Sequence, residues 1–199
     1  DNLHPEFNFA LNIKRSLFAV WQEYQGVGLL GGMGHAADLL RQLFLFPFSL
    51  VIPMEALRYF WTYLTLLIGA IGAYYLIRTL LQRDVTPVDN HLRASHDEKT
   101  VLTATSTTAF SLVGSLFYLL NLATVQAYYT PFEVFMAHFA ALPWLLLTTY
   151  LYCIKPTGRN LFFLILTLIL STPQGYVPTL FVVYLLAATV IAISSRPVL

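Results

Sequence analysis

Charged residues lie far apart after residue 58, and long apolar runs separate them. Arg58 and Arg78 enclose one such run, and a helix needs about 20 apolar residues to cross the hydrocarbon core of a bilayer. Comparable runs recur as far as Arg196. The pattern predicts an all-α, polytopic transmembrane bundle of about five spans. We place these spans at 59–77, 104–122, 133–152, 161–172 and 178–195.

The fourth predicted span is the shortest. Pro173 and Pro178 interrupt the uncharged run between Arg159 and Arg196, so this run divides into two helices. The first of them, 161–172, reaches only about 18 Å at 1.5 Å per residue. It either crosses the membrane as a short helix or forms half of a re-entrant hairpin. The side on which Arg196 emerges depends on which of the two occurs.

The positions of Lys and Arg predict the orientation, because short cytoplasmic loops carry an excess of these residues. Arg83, Arg93 and Lys99 lie in the segment 83–100, which we assign to a cytoplasmic loop. The predicted loops 123–132 and 171–178 contain neither Lys nor Arg. We therefore expect these two loops and the N-terminal part of the chain to face outward.

Residues 1–58 form a separate part on the predicted outer face, before the membrane part at 59–199. From Phe9 onward, apolar and polar residues alternate with helical spacing, which is typical of an amphipathic helix lying in the membrane interface. A glycine-rich loop follows at 26–34. The apolar segment 39–52 contains Pro47 and is too short to span, so we expect an interfacial or re-entrant helix there.

Composition excludes several classes of protein. The chain is 57% hydrophobic and 11% charged, with a mean hydropathy of +0.66, which is far from the average of soluble domains. A single cysteine, Cys153, excludes a disulfide framework. The net charge of +1 gives no basic surface that would indicate a nucleic acid as a partner. Because the sequence begins at Asp1, we expect a fragment of a longer membrane protein.

Polar groups accumulate at the outer ends of the predicted spans. Ionisable groups at a membrane boundary are costly unless they face water or a cavity, so each is a candidate for a functional site. The set comprises Asp1, His4, Glu6, His35, Asp38, Gln126, Tyr128, Tyr129, Glu133, Gln174 and Tyr176. Their convergence on one site is a prediction from topology alone.

The acidic residues near the start have two interpretations. The carboxylates of Asp1 and Glu6 would serve as a general base or as ligands of a divalent metal ion that steadies a leaving phosphate. Alternatively, both belong to a solvated segment without a chemical role. His35 and Asp38 share one face of a helix expected to start near Ala36, whose free N–H groups suit a phosphate. Their alternative roles are capping and compensation of the helix dipole.

The remaining candidates would contact a sugar or stabilise the helices. Glu133 stands at the start of a span, where a carboxylate also favours the helix N-terminus. Several polar and aromatic side chains would hydrogen-bond to a sugar or stack on it, or else anchor the helices at the interface by default. They are Gln126, Tyr128, Tyr129, Gln174 and Tyr176. His138, alone on an apolar helix, is typical of a packing residue.

Other chemistries lack their sequence signatures. The chain has no Gly-x-Ser-x-Gly elbow and no His-Glu-x-x-His motif. A conduction pathway normally places charged or strongly polar residues in mid-helix, whereas the spans carry only Thr, Ser, Asn121 and His138. A transporter is therefore disfavoured.

The order of these features resembles the first part of a membrane glycosyltransferase of the GT-C superfamily. The resemblance is carried by Asp1, by Trp21-Gln-Glu-Tyr-Gln-Gly-Val-Gly28 with Gly34-His-Ala-Ala-Asp38, and by Ser115-Leu-Phe-Tyr-Leu-Leu-Asn121 with Glu133 and Ala141-Leu-Pro-Trp144. The last group is similar to the N-terminal membrane region of bacterial arabinofuranosyltransferases that act on cell-wall arabinan.

The resemblance implies an enzyme of the inner cell membrane with its active face outward. It implies transfer of a sugar, with arabinofuranose as one candidate, from a polyprenyl-phosphate donor to a cell-envelope glycan acceptor. Asp1 best matches the family's catalytic base, with Glu6 in reserve. We assign the donor phosphate to His35 and Asp38, and the sugar or acceptor to Gln126, Tyr128, Glu133, Gln174 and Tyr176. The fragment should be inactive alone. The alternatives are a lipid-linked sugar flippase or other transporter, and a non-catalytic membrane scaffold.

Overall fold

A computed structural model describes residues 8–18, 21–22, 29–30, 32–84, 97–129, 133–171 and 178–195. Apart from one short strand pair, the regular structure in these ranges is helical, and the predicted helical bundle is confirmed. The helices are α1 (Phe9–Phe18), α2 (Gly32–Phe48), α3 (Met54–Asp84), α4 (Asp97–Leu120), α5 (Leu122–Tyr129), α6 (Glu133–Ile154), α7 (Gly158–Leu170) and α8 (Pro178–Ser195).

Four helices in the described ranges are long and apolar enough to cross a membrane, as expected of an integral membrane protein. They cover Met54–Gln82, Thr105–Gln126, Phe135–Ile154 and Pro178–Ser195. The fourth predicted span, 161–172, lies largely in α7, which has only 13 residues and a length of about 20 Å. That it crosses the membrane stays a prediction, as does the GT-C-like fold.

The helices extend beyond the charge-free runs from which their positions were predicted. Helix α3 begins at Met54 and continues to Asp84, and α4 begins at Asp97, so both reach into the predicted loop 83–100. A charge-free run marks the part of a helix that lies in hydrocarbon, whereas water solvates charged side chains on the turns beyond it. At the start of α3, the Pro53 carbonyl accepts from Ala56 and Leu57.

The N-terminal part contains two helices, α1 and α2, in the two regions where helices were predicted, and a short strand pair lies between them. Strands β1 (Trp21–Gln22) and β2 (Leu29–Leu30) pair antiparallel, and α2 already begins at Gly32, inside the predicted glycine-rich loop. Helices α1 and α2 pack together on the start of α3. Phe9, Leu45 and Leu57 form the buried cluster that joins the three helices.

Helix α6 is the centre of the membrane bundle and contacts α3, α7 and α8. Two adjacent threonines of α6 form hydrogen bonds to α7 and α8. Thr148 is hydrogen-bonded to Thr167 of α7 at 2.9 Å, and Thr149 to Tyr184 of α8 at 3.0 Å. Hydrogen bonds between helices are a principal means of association where lipid removes the hydrophobic driving force.

Two glycines allow α3 and α6 to approach closely. A Cβ at Gly69 would lie 2.5 Å from Cε1 of Phe139, and one at Gly72 would lie 2.6 Å from Nε1 of Trp144. The same indole nitrogen donates to the Ile68 carbonyl at 3.0 Å. Small residues at a membrane helix interface let the backbones approach in this way.

Candidate functional site

Most of the predicted site residues lie outside what the structure describes. Asp1, His4, Glu6, Gln174 and Tyr176 fall outside the described residues altogether. His35 and Asp38 belong to α2 and Glu133 begins α6, but their side chains are outside the described part. Because α2 begins at Gly32, the expected helix start near Ala36 is wrong by about one turn. The free N–H groups of its first turn therefore precede Ala36.

The described candidates lie on α5, where a polar loop was predicted. The side-chain amide of Asn121 forms hydrogen bonds to both α4 and α5, one through its oxygen and one through its nitrogen. Its Oδ1 accepts from the Thr124 backbone N–H at 3.0 Å, which caps the start of α5, and its Nδ2 donates to the Tyr118 carbonyl at 2.8 Å, which satisfies the end of α4. Thr124 Oγ1 donates to the same carbonyl at 2.7 Å. The junction is therefore a closed hydrogen-bonded turn.

Tyr128 fixes the other end of α5 to the bundle. Its hydroxyl donates to Thr65 Oγ1 of α3 at 3.1 Å, and its ring meets the edge of Phe139 of α6 at 5.4 Å. Burial raises the pKa of Tyr128 to about 12, against a smaller lowering by its hydrogen bond with Thr65. The phenol thus stays protonated at neutral pH and acts as a donor. Its contact with a sugar stays a prediction.

Tyr118 satisfies a backbone group that a proline has released. Pro143 has no N–H, so the Phe139 carbonyl lacks its usual partner within α6. The Tyr118 hydroxyl of α4 donates to that carbonyl at 2.8 Å, and its ring stacks on Phe139 at 4.4 Å. An unpaired carbonyl is costly in hydrocarbon, so this bond accounts for the tolerance of a proline inside α6.

Replacing Tyr118 with Phe is expected to lower the free energy of unfolding by about 0.5–2 kcal/mol, since the substitution leaves the Phe139 carbonyl without its donor. The measurement is denaturant unfolding in detergent micelles. Tyr129→Phe is the matched control, because the Tyr129 ring is 87% exposed.

A double-mutant cycle with Pro143→Ala tests whether the proline is the reason that losing the Tyr118 hydroxyl is costly. Pro143→Ala restores an N–H for the Phe139 carbonyl, so Tyr118→Phe should cost less in that background. Equal costs in both backgrounds would show that the proline does not explain the bond.

Gln126 and Tyr129 are the polar and aromatic side chains that α5 exposes. An amide supplies both donors and an acceptor, and an exposed phenol ring offers a flat surface with a polar edge. This pair could therefore hydrogen-bond and stack against a polyhydroxylated ligand. Tyr is also the usual residue of the membrane interface, and α5 begins within the candidate span Thr105–Gln126 and ends just beyond it, at Tyr129.

The structure brings the elements that bear the candidates to one end of the bundle. Helix α2 packs there through Leu45 on Leu57, and α5 through Tyr128 on Thr65. Helix α6 runs in the same direction as α3, with Phe139 near Gly69 and Trp144 near Gly72, so its start lies at that end too. The common end is a property of the helices that bear the candidates.

Neither a candidate metal site among the described residues nor a match to a known protein assigns a function to this chain. Among the described side chains, no group of three His, Cys, Asp or Glu residues could hold a metal ion. The chain matches no family model, and no curated protein or solved structure is similar to it. The resemblance to GT-C glycosyltransferases therefore stays a prediction from the sequence.

Sequence reasoning missed the structural roles of Asn121 and Tyr118. An asparagine between two apolar stretches is a recognisable N-cap signal, so the start of α5 could have been found. A proline within a span also indicates a released carbonyl four residues earlier, which is that of Phe139. The identity of the donor on α4 had no local signal.

Proposed function

We propose that this chain is the membrane part of a glycosyltransferase that moves a sugar from a polyprenyl-phosphate donor to a glycan acceptor on the outer face. Arabinofuranose is the sugar that the sequence resemblance favours. The observation that supports the proposal best is the common end of the bundle shared by α2, α5 and the start of α6. A transferase for a lipid-linked donor needs its polar groups gathered at one membrane boundary.

The proposed chemistry separates two tasks. A glycosyl phosphate already has a good leaving group, so the enzyme must deprotonate the acceptor and stabilise the departing phosphate. Asp1 would act as the base, with Glu6 in reserve. His35 and Asp38, on the first turns of α2, would contact the phosphate. Gln126, Tyr128, Glu133, Gln174 and Tyr176 would contact the sugar or the acceptor.

Donor binding tests the proposal directly. We expect the full-length protein in nanodiscs to bind a polyprenyl-phosphate sugar, and His35→Ala to weaken that binding because it removes a phosphate contact. Asp1→Asn should leave binding unchanged, since the base acts on the acceptor. His91→Ala is the matched control, because His91 lies in the predicted cytoplasmic loop. The readout is the equilibrium dissociation constant of each variant.

Two outcomes would count against the transferase. Absence of donor binding by the wild type would favour the scaffold alternative. Movement of the lipid-linked sugar across vesicle membranes without any acceptor would favour the flippase.

A further inference from the structure

Helix α2 buries polar side chains and exposes large apolar ones, whereas a surface helix of a soluble protein usually exposes its polar side chains. The side chains of Arg41 and Gln42, on the face that packs against the rest of the protein, are only 5% and 1% exposed. Asn12 of α1 is also buried, at 3%. The outer face of α2 and of the turn after it is apolar. It comprises Leu43, Phe44, Phe46, Leu50 and Val51, and we call it the α2 apolar face.

The buried side-chain amide nitrogens of Gln42 and Asn12 donate hydrogen bonds within the protein. Gln42 Nε2 donates to Ser16 Oγ at 3.3 Å, and Asn12 Nδ2 donates to the Asn8 carbonyl at 3.0 Å. A surface helix in water has the opposite arrangement, with its apolar stripe toward the core and its charges outside. Polar residues inside and large apolar residues outside indicate an apolar environment around the outer face.

The backbone N–H groups of the turn from α2 to α3 are all paired within the protein. The N–H groups of Ser49, Leu50, Val51 and Ile52 all donate to carbonyls of α2, and the next residue is Pro53, which has no N–H. The Ser49 hydroxyl is also satisfied, since it donates to the Phe46 carbonyl at 2.6 Å. Lipid cannot satisfy free backbone donors, so the pairing of these N–H groups lowers the cost of bringing the turn into contact with lipid.

Helix α2 lies across the start of α3 rather than along it. Phe44 and Phe48 are one turn apart on α2, yet their rings meet the neighbouring residues Trp61 and Phe60 of α3, at 6.0 and 5.0 Å. The first charges of α3, Glu55 and Arg58, stand at this level of the bundle. Charged residues at a span's end mark the boundary between hydrocarbon and water, so α2 lies at that boundary.

We propose that the α2 apolar face inserts into the acyl chains of the membrane leaflet at this end of the bundle. Leu50 and Val51, which are 78% and 85% exposed, would contribute the most exposed side chains to this contact. Lipid is the occupant because the chain continues from this face into the candidate span Met54–Gln82, whose own apolar side chains are also exposed, with Tyr63 at 69% and Leu67 at 58%. Interfacial helices bury their apolar face about 5–10 Å into the headgroup and acyl boundary.

Site-directed fluorescence tests this insertion in the full chain in lipid vesicles. A polarity-sensitive fluorophore is attached at Val51→Cys in a Cys153→Ser background, since Cys153 is the only native thiol. Val51 contributes little to packing, so the label should leave the fold intact. Leu67→Cys provides the hydrocarbon reference, and Lys155→Cys, in the turn between α6 and α7, provides the water reference.

We expect nitroxide-bearing lipids to quench the Val51 label as strongly as the Leu67 label, with blue-shifted emission and protection from aqueous iodide. Iodide quenching like that at Lys155 would overturn the proposal by placing the face in water. Protection from both quenchers would also overturn it, because protein, such as a second copy of the chain, would then cover the face. A label at Phe46→Cys repeats the test at a second position on the same face.

Discussion

Sugar transfer by the full-length protein is expected to fall by roughly 10²–10⁴-fold when Asp1 is replaced with Asn, which is the typical contribution of a positioned general base. Asparagine keeps the shape of the side chain but cannot take the proton of the acceptor hydroxyl. Membrane vesicles with a polyprenyl-phosphate donor and a glycan acceptor give the rate. Protein level and size-exclusion profile should match the wild type.

Glu55→Gln is the matched control for this experiment. Glu55 is an exposed carboxylate in the first turn of α3, at the end of the bundle where α2 and α5 pack, and the proposal gives it no chemical role. Transfer at the wild-type rate by Asp1→Asn would remove the base role from Asp1. If Glu6→Gln were inactive in the same assay, the reserve residue would take that role.

Adding one methyl group at Gly69 is expected to destabilise the protein by about 1–3 kcal/mol, which is the usual cost of overpacking. The new Cβ would lie 2.7 Å from Cδ1 of Phe139 and 3.0 Å from its backbone oxygen. The ring could rotate, but the backbone oxygen moves only if α6 moves. This loss opposes the gain of about 1 kcal/mol that Ala normally brings to a helix.

Gly158→Ala is the matched control for Gly69→Ala. Gly158 is also helical, in α7, but a Cβ there would meet no atom within 4 Å. Gly158→Ala should therefore leave the free energy of unfolding unchanged or raise it, in the same denaturant titration. Equal stability of Gly69→Ala and the wild type would show that α3 and α6 adjust their spacing freely.

The sequence predicted the spanning helices well because hydrocarbon excludes charge directly. The runs that gave α3, α4, α6 and α8 are visible without any knowledge of tertiary contacts. The helix ends were less predictable, since water solvates turns beyond the membrane whatever their charge. Helix α5 was missed because 123–132 is too short and too polar for a span, and hydrophobicity was the criterion.

The site was harder to predict than the fold because its contacts are distant in sequence. Tyr128 and its partner Thr65 are 63 residues apart, and no local pattern links them. Tyr118 and Phe139 present the same problem, although the proline that creates the need for a donor was visible. The positions of Lys and Arg predict an orientation, whereas the pairing of helices depends on shape at Gly69 and Gly72.

Helix α5 is held at both ends, by Asn121 at its start and by Tyr128 near its finish. A ligand that touches Gln126 would therefore meet a side chain on an already ordered backbone. Binding there avoids the entropy loss of ordering a loop, so the affinity would depend mainly on the contacts themselves. Loosening either end would then weaken binding without removing any ligand contact.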